Sequence, residues 1–143
     1  MTPLRPIDGL ARFYEALTPH NLSTIKVFYA SDARFKDPFN DVVGVEHIQR
    51  IFTHMFKQVA SPRFEVTGRF EDGATGVLLW VMSWGEGGAG SRGRIEGASR
   101  FVFDDNGKVV EHLDYWDPAE SLYEKVPVLG GLMRCMKRRL ATD

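Results

Sequence analysis

The chain of 143 residues holds one cysteine, Cys135. No internal disulfide can form, and a reducing, cytoplasmic setting is expected. Surplus charge is also lacking: 18 Lys and Arg stand against 19 Asp and Glu, a formal net charge of −1. A domain that grips a phosphate backbone carries a basic excess, so nucleic acid is not expected as the main partner. No uncharged apolar run is long enough to span a bilayer. The opening residues, MTPLRPIDGLARFYEAL, lack the cationic segment and long apolar core of a signal peptide. Neither an HxH nor an HExxH spacing occurs, which leaves too thin a ligand set for a metal site, and no cofactor is expected. The stretch GEGGAGSRG at residues 85–93 lacks the Lys-Ser/Thr end of a phosphate loop and reads as a hairpin connection. With no repeat, low-complexity tract or linker, a single domain over 1–143 is expected.

What is present has clear periods. Ile7 to Leu17 carries Ile7, Leu10, Ala11, Tyr14 and Leu17 at helical spacing, with Pro19 to stop it. Asn21 is placed to cap a short second helix through Tyr29, and Ala33 to Asp37 reads as extended, since Pro38 keeps Asp37 out of helical geometry. Gly44 to Val59 gives the strongest helix, with Val45, Ile48, Phe52, Met55, Phe56 and Val59 in one stripe and His47 and His54 opposite it on the surface. After Pro62 the period becomes two. Phe64, Val66, Gly68 and Phe70 share one face, Val77 to Trp84 is apolar on both, and Arg94 to Phe103 alternates again. Asp104-Asp105-Asn106-Gly107 is a strong turn. Helices gathered first and hairpins later imply an α+β fold, with helices on one side of an antiparallel sheet.

The last strand, within Lys108–Pro118 (KVVEHLDYWDP), is the unusual one. Alternation puts Val110, His112, Asp114 and Trp116 on one face. An imidazole, a carboxylate and an indole on one face of an apolar strand suit the polar end of a hydrophobic pocket better than a plain core. Beyond it, Ala119 to Leu140 predicts a C-terminal amphipathic helical extension over 118–143, with Leu129, Leu132, Met133, Met136 and Leu140 opposed to Arg134, Lys137, Arg138 and Arg139. Such a helix packs on its own domain or a dimer mate, or lies on anionic lipid.

Three stretches, FYEALTPHNLSTIKVFYASDARFKDPF, the helix beginning GVEHIQRIF, and FDDNGKVVEHLDYWDP, resemble the SnoaL-like proteins of the nuclear transport factor two-like superfamily, which includes the ketosteroid isomerases. The resemblance spans about residues 9–117. It implies a cone-shaped, curved antiparallel sheet wrapped around the N-terminal helices, a deep apolar pocket, and a homodimer through the outer face of the sheet. It places Asp37 at the isomerases' general base, Phe13 at their first-helix tyrosine and Ser99 at their protonated aspartate. Lacking both of those donors, the chain is not expected to be a steroid isomerase.

Asp37, His112 and Asp114 are therefore the candidate catalytic set: Asp37 as base, His112 as acid or electrophile, Asp114 orienting His112. Phe13, Tyr14, Phe52, Met55, Trp80, Trp84, Ser99, Phe101 and Trp116 are the candidate ligand-binding residues, for a small hydrophobic, flat or cyclic molecule. Structural alternatives stand beside these: a turn at Asp37, a satisfied buried His112, an Asp114 paired with Arg94 or Arg100. Functionally, acid–base catalysis of isomerase, cyclase, hydratase or hydrolase type stands against a non-catalytic carrier and a membrane-peripheral module using the basic tail.

Overall fold

The computed structural model describes residues 5–85 and 93–118. Helix α1 (Pro6–Glu15) begins with Pro6 at its first position, where the missing N–H costs nothing. Asp8 closes the start by accepting from the Arg5 backbone N–H at 3.3 Å, and it also holds Arg69 at 3.1 Å. A short 3-10 turn (Leu22–Thr24) leads into α2 (Ile25–Phe28). Asn21 does not cap it as expected. Its side chain turns back instead, donating to the Ala16 carbonyl at 2.7 Å and accepting from the Thr18 N–H at 2.8 Å.

Strands β1 (Tyr29–Lys36) and β2 (Asp41–Val43) precede α3 (Val45–Gln58), and β3 (Arg63–Asp72), β4 (Thr75–Trp84), β5 (Gly93–Phe103) and β6 (Val109–Trp116) follow as a meander. The six strands form one sheet in the order β2-β1-β6-β5-β4-β3, curved and unclosed. The sheet is mixed, not wholly antiparallel as expected: β1 runs parallel to β6. Successive hairpins reverse direction each time, and β6 reaches the free edge of β1 pointing the same way. The C-terminal helical extension expected over 118–143 lies outside the described residues but for Pro118.

Curvature comes with register shifts. One falls in β3 between Val66 and Gly68, a second in β6 opposite the Val102/Phe103 step, and a third in β1 between Tyr29 and Arg34. A bulge bends its strand and swaps the faces beyond it. Phe70, expected inward, is consequently 58% exposed. Val109, assigned outward from the alternation, is fully buried, and Val110 is the extra residue between Val109 and Glu111.

The concave side packs on α1 and α3. Ile7, Leu10, Ile25, Tyr29, Phe35, Ile48, Leu78, Phe101 and Val109 are all essentially solvent-free. Gly76 is where α1 presses closest on β4: a Cβ there would sit 2.8 Å from Ile7 Cδ1 and 3.0 Å from Phe103 Cε2. Both neighbours are buried and have nowhere to go. Gly76→Val should therefore lower stability by about 1–3 kcal/mol, the usual range for overpacking, read from urea denaturation midpoints.

Candidate functional site

Between α1, α3 and the concave sheet lies a cavity of about 380 Å³, within the range of small-molecule sites. Its walls include Phe52 and Met55 from α3, Phe64 from β3, Trp80 from β4, Phe101 from β5 and Trp116 from β6. Tyr14, Asp37, Ser99, His112 and Asp114 bring the polar groups. Register explains the convergence. Phe35, His112 and Phe101 lie abreast on β1, β6 and β5, and Leu78, Ser99 and Asp114 lie abreast on β4, β5 and β6. Lys36 pairs with Leu113, so the next step of β1 carries Asp37 alongside Asp114.

Two of the expected lining residues are elsewhere. Phe13 sits edge-on to Tyr14 and against Phe28, with ring centroids 5.2 and 4.9 Å apart, and belongs to the core behind α1. Tyr14, not Phe13, reaches the cavity. Trp84 is buried in a side cluster with Val59, Met82 and Ile95, and among the described residues its indole N–H has no partner. It lies over Gly93, where a Cβ would come within 1.8 Å of the ring. Trp80 lies over Gly97 in the same way, at 2.5 Å. The inward glycines of β5 are seats for the indoles of β4.

Lining residues not anticipated include Phe35, Phe39, Asn40, Ile51, His54 and Gln58. Phe35 was within reach of sequence reasoning, since it is two residues from Asp37 on the same strand face. His54, expected on the surface, is exposed and also borders the cavity. Asn40 carried no periodic signal; it arrives through the turn that follows Asp37.

That turn is the structural alternative for Asp37, and it forms. Asp37 Oδ1 accepts from the Phe39 N–H at 2.8 Å and the Asn40 N–H at 2.6 Å, and the Asn40 amide donates to both oxygens at 3.1 and 3.2 Å. Burial nevertheless raises the Asp37 pKa above 3.8, against the pull of those donors, and the charge of Asp114 adds to the rise.

His112 is 2% exposed, with its ring centroid 4.4 Å from Phe101 and 4.7 Å from Phe35. Both nitrogens are engaged: Nδ1 with the Tyr29 hydroxyl at 2.7 Å, and Nε2 with Asp114 Oδ1 at 2.5 Å. Tyr29 in turn meets the Tyr14 hydroxyl. On the other side Ser99 donates to Asp114 Oδ1, and Trp80 Nε1 donates to Ser99 Oγ at 2.8 Å. Asp114 does not pair with Arg94 or Arg100, which hold Glu96 and Glu111 at 2.9 and 3.2 Å.

Donor and acceptor rules orient this chain. An indole N–H only donates and a carboxylate only accepts. With His112 neutral, Nε2–H points to Asp114 and Nδ1 takes the Tyr29 proton, leaving the Tyr29 oxygen to accept from Tyr14. Burial lifts both tyrosines well above their ordinary pKa of 10, so they stay protonated. Both donors to Asp114 fall on Oδ1, so among the described residues no donor occupies Oδ2 of this cavity-lining residue. Asp114 and His112 both border the cavity, and they are joined to each other through Nε2 and Oδ1. Among the described residues no three His, Cys, Asp or Glu side chains gather into a metal-binding group.

A curved sheet wrapped on helices around such a cavity is the nuclear transport factor two-like, or ketosteroid isomerase-like, fold. The chain belongs to the SnoaL-like domain family, whose model matches residues 10–112. Among solved structures it is similar to a protein of ketosteroid isomerase-like fold from Catenulispora acidiphila, in complex with trimethylamine (14% identity, 87% of this chain and 94% of that one, TM-score 0.71). It is likewise similar to an LEH-like epoxide hydrolase from M. tuberculosis (19% identity, 93% and 96%, TM-score 0.67). A third is a protein assigned as a SnoaL-like polyketide cyclase from Jannaschia sp. (14% identity, 83% and 91%, TM-score 0.71). At such identities the likeness is one of fold. Among curated proteins, none matches this chain.

Two predictions test the site's construction. Tyr29→Phe strands both His112 Nδ1 and the Tyr14 hydroxyl, whereas Tyr14→Phe removes only the last donor. The first should cost about 2–4 kcal/mol and the second about 1 kcal/mol in chemical denaturation, since buried unsatisfied groups lose their full desolvation penalty. Asp37→Asn keeps an acceptor oxygen for the turn but removes the charge. Because the folded state holds the Asp37 proton more tightly, wild-type stability relative to this variant should be greatest below pH 3.8 and fall as pH rises through the raised value. Parallel urea titrations across that window check it; a flat difference contradicts it.

Proposed function

We propose that this protein binds a small hydrophobic, cyclic molecule in the cone and moves a proton on it without a cofactor, in chemistry of isomerase, cyclase or hydrolase type. The observation that carries the reading is Asp114: one oxygen is held by Ser99 and His112, no donor among the described residues holds the other, and the residue lines an apolar cavity. A carboxylate held in that way is an oriented base, and the imidazole bonded to it fixes its orientation. Asp37, beside it, is the weaker candidate because its turn already occupies Oδ1. The epoxide hydrolase and the assigned polyketide cyclase support catalysis on this fold, and the trimethylamine complex supports a small organic occupant. A homodimer through the outer sheet face is supported by the exposed Leu79 and Tyr115, which flank Ala98 in one cross-strand row.

A second reading, a non-catalytic carrier, is favoured by the completeness of the bonding at His112, whose nitrogens are both tied off. Deuterium exchange separates the two. Cyclic ketones offered to the protein in heavy water should exchange their α-hydrogens, followed by NMR, and Asp114→Asn should slow that exchange at least about a hundredfold, the low end for a general base. Ligand binding with no exchange assigns the protein to the carrier class, and exchange indifferent to the substitution removes Asp114 as the base.

A further inference from the structure

The cavity is lined by carboxylates without a matching cation. Asp37 and Asp114 both border it, and no Lys or Arg is among its lining residues within the described chain. Lys36 borders an outer cleft beside Asp37 and Asp114, not this cavity, and it acts on Asp41. His54 stands exposed at the cavity, and His112 already serves Asp114. The charge felt by Asp37 is that of Asp114, a repulsion in apolar surroundings. Around the pair stand aromatic faces and edges: Trp116 meets Phe39 at 5.5 Å, and Trp80 meets Phe64 at 5.8 Å between centroids.

We propose that this site selects an organic cation, an ammonium group carried on an apolar ring, over a neutral or anionic molecule of the same shape. An anion entering here would meet two carboxylates and no compensating charge, in a medium that screens poorly. An ammonium meets Asp114 Oδ2, relieves the repulsion between the carboxylates, and is attracted by the electron-rich faces of the indoles. Its ring takes the place of water against Phe52, Met55 and Phe101. The inference rests on the reading that Asp114 faces the ligand, and it concerns affinity alone, so a failed exchange experiment leaves it standing.

Three probes of one shape test it by titration calorimetry on the full chain: cyclohexylmethylamine, cyclohexylmethanol and cyclohexanecarboxylate. The amine should bind about tenfold or more tighter than the alcohol, as expected for a charge pair in a poorly screened site, and the carboxylate more weakly than either. Asp114→Asn should bring amine and alcohol within about threefold while the alcohol's own affinity holds. Should that variant fail to fold by circular dichroism, Asp37→Asn gives the same comparison with a smaller loss. Alcohol binding with no advantage for the amine, or an advantage that survives both substitutions, overturns the cation preference and leaves the apolar pocket intact. Binding of none of the three overturns the preference and the pocket together.

Discussion

A single carboxylate oxygen, Asp114 Oδ1, is the point on which the hydrogen bonding of the interior converges. It can only accept, while the indole of Trp80 two bonds away can only donate, so the hydroxyl of Ser99 between them has one allowed orientation. The same logic fixes the neutral His112 tautomer and then the hydroxyls of Tyr29 and Tyr14. Five elements, α1, β1, β4, β5 and β6, are tied to one another by a chain with no slack. Buried polar groups stabilise only when all are satisfied, and here each link satisfies the next.

Such a chain needs a sheet bent far enough to bring β4 and β1 toward the same space. Register shifts in β1, β3 and β6 supply the bends. Gly97 supplies the clearance: with any Cβ there, the Trp80 ring could not lie across β5 to reach Ser99. Gly93 plays the same part for Trp84, but there the indole ends in an apolar cluster with its N–H unpaired among the described residues. Two tryptophans four residues apart on one strand, each seated on a glycine, thus have different fates. One is wired to the carboxylate and the other is packing.

Strict alternation was enough to read His112, Asp114 and Trp116 as neighbours, because no bulge interrupts β6 between them. It failed one step earlier, at Val109 and Val110, and again at Phe70, because a single extra residue inverts a face and leaves no mark in composition. Phe13 was expected at the pocket from the family resemblance, but Tyr14 lines it; the helical stripe of Ile7, Leu10 and Tyr14 was the better guide to which residue of α1 faces inward. The cavity itself was legible as an excess of inward aromatics. The bonding of Asp37 and His112 was not, since whether a lone pair is free depends on turns and cross-strand bonds that spacing alone does not specify. Asp37 spends Oδ1 on its own turn, and His112 spends both nitrogens on Tyr29 and Asp114.

Counting protons along the chain connects its two ends. While His112 is neutral, the Tyr14 proton is committed to Tyr29, and the cavity gains no donor from it. A second proton on His112 would make Nδ1 a donor, which requires Tyr29 to turn its own proton toward Tyr14. Tyr14 must then release its hydrogen bond and direct its hydroxyl elsewhere, and the cavity it lines is the open direction. Donor capacity at Tyr14 is therefore set by the proton count at His112 and passed on through Tyr29, without any side chain having to move far.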